Sequence, residues 1–359
     1  MRISFFGSSI LSAYWNGAAT YYRGLIRALH ARGHRVTFFE PDAYGRQERR
    51  DLDPPAWVDA VVYRVEEVDR ALDLARDADV IVKASGVGIL DEWLEGAVLE
   101  QRRPGTLAVF WDVDAPATLE RIEKNKADPF RARIPRYDAV LTYGGGQPVV
   151  EAYGRLGARR CVPVYNGLDP ETHHPAACDP RFDGLLGFLG NRLPDRESRV
   201  DAFFLEAARR MPMEDFVLGG AGWESRALPT NVRALGHVYT RDHNAFNCTP
   251  RAVLNITRDS MARTGFSPPT RVFEAAGAAA CLFTDAWDGV AEFFEPEKEI
   301  LVVRDGAELA ERLRRLDPLR AVRIGMAARR RAVSEHSYAR RAALVEDVLE
   351  GRGTLRSTG

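Results

Sequence analysis

The feature that most constrains this chain is a rhythm in which short apolar runs of strand length alternate with amphipathic stretches of helix length. In the first half the apolar runs fall at 3–6, 36–39, 80–82, 107–110, 139–142 and 162–165. In the second they fall at 185–189, 216–218, 232–235, 252–256, 281–284 and 300–303. Between them lie stretches such as 20–31, where apolar residues recur at helical spacing until Gly33 supplies a stop. A strand that is apolar along its whole length is covered on both faces, and strands alternating with helices wind a parallel sheet between helical layers. The expected fold class is α/β, with two Rossmann-like doubly wound domains facing across a cleft and ligands at the carboxyl ends of the strands.

Length agrees, because 359 residues are too many for one ordinary core. The segment "NGLDPETHHPAACDPRFDG" at 166–184, rich in Pro, Gly and Asp, reads as an interdomain connection. The ending "HSYARRAALVEDVLEG" at 336–351 reads as an amphipathic helix. The expected divisions are 1–168, 169–335, and a terminal helix and tail at 336–359.

A net charge of −1 removes any global electrostatic reason to bind nucleic acid or an anionic membrane. The only lysines are Lys83, Lys124, Lys126 and Lys298, so a phosphate clamp in the second half must use arginines or backbone amides. Cys161, Cys178, Cys248 and Cys281 form no CxxC pair and read as thiols of a reducing compartment. Residues 3–22 are uncharged, but Gly7-Ser8-Ser9 and Asn16-Gly17 break the run, and helical spacing continues beyond it. The expectation is a cytoplasmic protein with no membrane span.

The stretch "TGFSPPTRVFEAAGAAACLFTD" at 264–285 carries the most chemistry. Ser267 is placed to cap a helix opening on Pro268 and Pro269, where fixed φ and missing N–H groups cost little. Flexible Gly265 and the first-turn amides then make an anion site. Thr270, Arg271 and Glu274 share a helix face with Gly277 and Ala278. From there Glu274 can accept from ribose hydroxyls, the alternative being a plain Arg271–Glu274 surface pair. "LLGFLGNRLPDRESR" at 185–199 offers a second turn, with Gly190, Asn191, Arg192 and Arg196 set to meet a diphosphate or to lie solvated on a helix start. Arg258 follows another strand end.

In the first half, Gly7, Ser8, Asn16, Gly17 and Ala18 line a glycine-rich turn without a GxGxxG fingerprint, either a ligand approach or a tight loop. Asp112 and Asp114 in "FWDVDAP" point to one face of an extended chain. They serve as a cleft acid or base for an acceptor hydroxyl, as a DxD metal pair, or as a helix cap. The histidines assemble no metal site by spacing, and no metal or organic cofactor is expected.

Taken with "GHVYTRDHNAFNCTPRAVLNITRDSMARTGFSPPTRVFEAAGAAACLFTD" and "GVAEFFEPEKEILVVRD", the chain resembles the spore-maturation-type (CgeB-like) glycosyltransferases, relatives of the family 4 enzymes of GT-B fold. "NGAATYYRGLIRALHARGHRVTFFEPD", "FWDVDAPATLERI" and "YNGLDPETHHP" extend the resemblance over nearly the whole chain. It implies that the second domain binds a nucleoside diphosphate sugar and the first an acceptor, with the terminal helix crossing back to the first. Glu274 then holds ribose, Arg192 contacts diphosphate, and Gly236, His237, Val238 and Tyr239 border the base. Many retaining relatives carry a further Glu where this chain has Phe266, and their phosphate lysine is replaced by Arg196 or Arg258. A catalytic His of some relatives gives way to Asp112. The expected activity is metal-independent transfer of a sugar to an acceptor hydroxyl. Its alternatives are a sugar-nucleotide epimerase and a catalytically degenerate nucleotide-sugar-binding protein.

Overall fold

A computed structural model describes residues 1–352 other than Trp15 and Gly17. The chain divides into two compact units, 1–166 with the terminal helix Tyr338–Leu349, and 167–337. The first holds β1 (Arg2–Phe6), β2 (Arg35–Pro41), β3 (Asp59–Tyr63), β4 (Val80–Ala84), β5 (Leu107–Asp112), β6 (Ala139–Thr142) and β7 (Cys161–Pro163). They form one parallel sheet in the order β3-β2-β1-β4-β5-β6-β7. The second holds β8 (Leu186–Leu189), β9 (Phe216–Gly219), β10 (Val232–Gly236), β11 (Ala252–Asn255), β12 (Leu282–Asp285) and β13 (Leu301–Val303), also parallel, in the order β10-β9-β8-β11-β12-β13.

The strands are apolar throughout because each sheet face meets its own helical layer. Along β1, Ile3 and Phe5 join a core with Val36, Phe38, Val80 and Val82, while Phe6 turns into a second core with Phe39, Ile81 and Phe110. Helix Ala19–Ala31 covers the first of these faces together with Tyr338–Leu349, whose Tyr338 ring fills the space beside Gly24. A Cβ on Gly24 would stand 2.2 Å from that ring, so the helices meet only because this position is glycine.

One strand is missing from the sequence-based expectation. The segment Asp59–Tyr63 forms the sheet edge with mostly half-buried side chains. An edge strand buries little, so "DAVVY" lacks the long apolar run that marks the central strands.

In both sheets the winding direction reverses, between β1 and β4 in one and between β8 and β11 in the other. Crossovers leave these two points in opposite directions, opening a crevice at the carboxyl ends of the strands. Each unit therefore has one topologically determined place for a ligand.

Candidate functional site

At the second switch point, β8 runs into Gly190, Asn191 and Arg192, and β11 into Thr257 and Arg258. The Asn191 side chain accepts from the Ala221 amide at 3.0 Å, and Gly190 accepts a bond from the Trp223 indole at 2.8 Å. These bonds tie the turn to the loop after β9. There Gly220 passes so close that a Cβ would lie 2.2 Å from the Gly190 carbonyl oxygen. Arg192 pairs with Glu197 at 2.8 Å and reaches Ser225 at 3.4 Å. Arg196 donates back to the Asn191 carbonyl at 2.7 Å and lies over the Phe188 ring. Arg258 is exposed at the start of helix Asp259–Thr264. Arg199 is a brace rather than a ligand group, because it pairs with Asp259 and with fully buried Asp285.

Between β11 and β12 stands helix Thr270–Gly277. Its start corrects the sequence expectation. Ser267 is buried but caps nothing, Pro268 and Pro269 precede the helix in extended backbone, and no side chain caps Thr270–Gly277 among the described residues. Pro269 disfavours the helical region for Pro268, the residue before it, which excludes a start at Pro268. Gly265 and Phe266 both take positive φ, 69° and 45°, and the Phe266 amide bonds the Asp288 carbonyl. The Phe266 ring occupies the space above Gly289, where a Cβ would come within 2.3 Å.

Glu274 is one turn inside, only 8% exposed, with Arg271 Nη1 at 3.0 Å from Oε2 and His173 Nε2 at 3.8 Å from Oε1. His243 completes the group, since ligand atoms of His173, His243 and Glu274 lie within 4.8 Å of one another. Sequence spacing did not bring these histidines together. His173 comes from the connection after β7, which Gly277 admits: a Cβ there would meet the His173 carbonyl at 2.7 Å and Leu168 at 2.4 Å. Burial opposes the Glu274 charge, but Arg271, His173 and His243 outweigh it and hold the carboxyl below the usual range. Burial, then the Arg271 charge, pushes His243 down to about 4. Three such ligands suit a cation in principle. The Arg271 guanidinium on Oε2 already supplies positive charge to the carboxylate from the side away from His173. At the edge of the sheet Gly236 takes φ 66°, Val238 is buried, and His237 and Tyr239 stand exposed with their rings 4.7 Å apart.

The first unit separates the two candidate aspartates. Asp112 is fully buried, which raises its pKa despite four donors. Ser85 Oγ, Thr118 Oγ1 and the Asp114 amide reach Oδ1, while Tyr153 Oη bonds Oδ2 at 2.5 Å. That saturation corrects Asp112 as a cleft-lining base or metal ligand, because its lone pairs already hold the turn. Asp114 is exposed at the start of helix Ala115–Lys124 and caps it with no side-chain bond. Ser8 and Asn16 are likewise spent on their own loop. Ser8 Oγ donates to Asn16 Oδ1, and the Asn16 amide donates to the Ser9 and Ser12 carbonyls. Gly7 makes room for the Phe38 ring, and Ala18 precedes helix Ala19–Ala31. Gly17 lies outside the described residues.

Comparison with known proteins bears on this geometry. Residues 196–347 match the family described as glycosyl transferase-like. No curated protein matches the chain in sequence. Among solved structures, sucrose-phosphate synthase from Thermosynechococcus elongatus is 15% identical with a TM-score of 0.70, covering 98% of each chain. Anabaena Alr3699/HepE in complex with UDP and glucose is 13% identical at a TM-score of 0.67, over 98% of this chain and 100% of that one. An alpha-glucosyltransferase in complex with UDP and a 13-mer DNA is 13% identical at 0.72, over 98% and 99%. No helix among the described residues is long and apolar enough to cross a membrane. The fold of this chain is that of the GT-B glycosyltransferases, and its 196–347 segment, which carries Arg196, Arg258 and Glu274, is similar to the glycosyl transferase-like family.

Proposed function

We propose that the protein transfers a sugar from a nucleoside diphosphate sugar to an acceptor hydroxyl without a metal ion. The observation that carries this reading is buried Glu274, held by Arg271 one turn inside a helix that opens at the carboxyl edge of the second sheet, beside its switch point. Glu274 accepts from the ribose hydroxyls. Arg192 and Arg258 take the diphosphate, and exposed Tyr239 offers a face for the base. UDP is the first donor nucleotide to try, since two of the similar structures hold it.

In the reaction the acceptor oxygen bonds the anomeric carbon, the bond from that carbon to the diphosphate breaks, and the diphosphate leaves with the electron pair. Stabilising that developing charge and aligning the two substrates are what such a site contributes to rate. The hydroxyl proton passes to a carboxylate of the first unit, for which Asp114 is the candidate. Within that fold, the motifs of the chain resemble those of the spore-maturation-type enzymes.

A thermal-shift screen against UDP-, GDP-, dTDP- and CDP-sugars in the presence of EDTA tests it. Saturation at a hundredfold over the dissociation constant stabilises by about 2.7 kcal/mol. Glu274→Ala is expected to lose the shift, measured against its own ligand-free midpoint. A shift that Glu274→Ala retains removes this residue from the site, and a shift that vanishes only in EDTA overturns the metal-free reading.

A further inference from the structure

The longest helix among the described residues turns large apolar side chains outward. Helix Pro318–Glu335 buries Ala321, Ile324, Gly325, Ala328 and Ala332 in the second unit. On its opposite face Leu319 is 72% exposed, Val322 60%, Met326 41% and Val333 40%. At 3.6 residues per turn these four fall in a strip about 60° wide that runs about 21 Å along the helix. A surface helix ordinarily gives that face to charged and polar residues. The other large exposed apolar side chains, Tyr44, Leu74, Trp93, Met213 and Tyr239, stand one to an element or loop, so the clustering is particular to this helix. Val322 and Met326 also line a cleft of about 470 Å³ with Pro175, Ala176 and Pro250, which extends the surface beyond the ridge. Its two charged side chains, Arg251 and Asp183, are of opposite sign.

The charge beside this ridge has one sign. The helix and its cap hold five arginines against two acids, Asp317 and Glu335, and from Pro318 to Ser334 the sequence contains no acid. Arg320 is drawn to Glu297 at 3.4 Å, and Arg331 to Glu299 at 3.6 Å and Glu335 at 3.5 Å. Arg323 and Arg330 are exposed on one flank of the ridge and form no ion pair among the described residues. The net charge of −1 for the whole chain conceals this local excess. A second copy docked ridge to ridge brings further arginines to that flank and no carboxylate. The strip also holds no aromatic ring, and so lacks the Tyr and Trp anchors that carry most protein partners. Aliphatic side chains flanked by arginines match instead the interface of an anionic bilayer, in whose plane such a helix lies.

We propose that helix Pro318–Glu335 is a docking surface for an anionic membrane, with Leu319, Val322, Met326 and Val333 inserted at the acyl boundary and Arg323 and Arg330 against the headgroups. The test is co-sedimentation of the full chain with vesicles of phosphatidylcholine alone and of phosphatidylcholine with about 30% phosphatidylglycerol, which carry a negative surface potential. Partition into the anionic vesicles is expected to be at least about tenfold stronger, since each arginine near such a surface contributes roughly fivefold. Arg323→Gln with Arg330→Gln is expected to remove most of that preference. Leu319→Ser with Met326→Ser is expected to weaken binding to the anionic vesicles at least about tenfold, a loss that charge attraction alone would not show. All four positions are exposed, so both double variants are expected to melt near the native midpoint. Should either fail to fold, Arg330→Gln and Leu319→Ser alone read the same two effects. No partition, equal partition into both vesicles, or full binding by either double variant overturns the proposal. A dimer seen without vesicles and dissociated by Leu319→Ser with Met326→Ser would overturn it in favour of a second copy. Polyglutamate bound as tightly as the anionic vesicles, with the same dependence on Leu319 and Met326, would overturn it in favour of an acidic protein. None of these results touches the donor reading, which the nucleotide screen decides.

Discussion

Asp112 and Asp114 are two positions apart, yet the fold assigns them opposite work. Asp112 organises the end of β5 through four donors, so Asp112→Ala orphans the buried hydroxyl donors of Ser85 and Tyr153, while Thr118 keeps its bond to the Asp114 carbonyl. Each unsatisfied group costs about 1–3 kcal/mol, and a fall of several degrees in the melting midpoint is expected by calorimetry. Asp114→Asn is expected to leave that midpoint near the native value and to lower sugar-transfer turnover at least about a hundredfold, the scale of a lost general base. A variant pair with these effects exchanged would reverse the assignment. His243 gives the pH signature of the second unit. Its folded-state pKa is about 4 against an ordinary 6.5, so the unfolded chain binds the proton first. The stability that neutral His243 contributes is complete above about 6.5. It is lost as pH falls toward about 4, at no more than ~1.4 kcal/mol per pH unit. Chemical denaturation across this range should show a shallower fall in His243→Gln, and equal slopes would refute the claim.

At the scale of the element, helix Thr270–Gly277 shows why a stretch can look featureless and still be constrained. Its tail of small residues lets the long helix Pro318–Glu335 come close, with Gly325 lying directly on the backbone after the helix end. A Cβ on Gly325 would stand 2.0 Å from the Ala279 carbonyl oxygen, a backbone atom that cannot rotate away. Ala279 itself holds φ 59°, so the turn has little freedom to move. Gly325→Ala should therefore destabilise by about 1–3 kcal/mol or more, although alanine favours helices. A denaturation midpoint at or above the native one would show that the contact relaxes without cost. The position of the helix start follows the same logic of local against longer-range control. Prolines at 268 and 269 suggested an early start, but Pro269 disfavours the helical region for Pro268, and Pro269 itself stays extended, so the helix starts at Thr270.

For the whole molecule, alternation of strand and helix patterns was enough to read two doubly wound units, because a parallel sheet buried on both faces leaves an unbroken apolar signal in each strand. Edge strand β3 escaped because half-burial leaves little such signal. The turn residues Gly190–Arg192 and the Glu274 helix were also legible, since loop–helix chemistry is local and short-range. What the chain pattern does not contain is partnership across the sheet. His173 stands beside Glu274 because glycine at 277 admits the connection after β7, and His243 arrives there from the helix His243–Cys248. Asp112 is saturated only because Ser85 and Tyr153 arrive from β4's loop and the helix Gly146–Arg155. By itself, then, the sequence determined the secondary elements, their layering and the residue types at strand ends, all set by periodic burial and local backbone preference. Tertiary structure alone decided which charges are shielded and which are paired, because those properties depend on distances between residues remote in the chain.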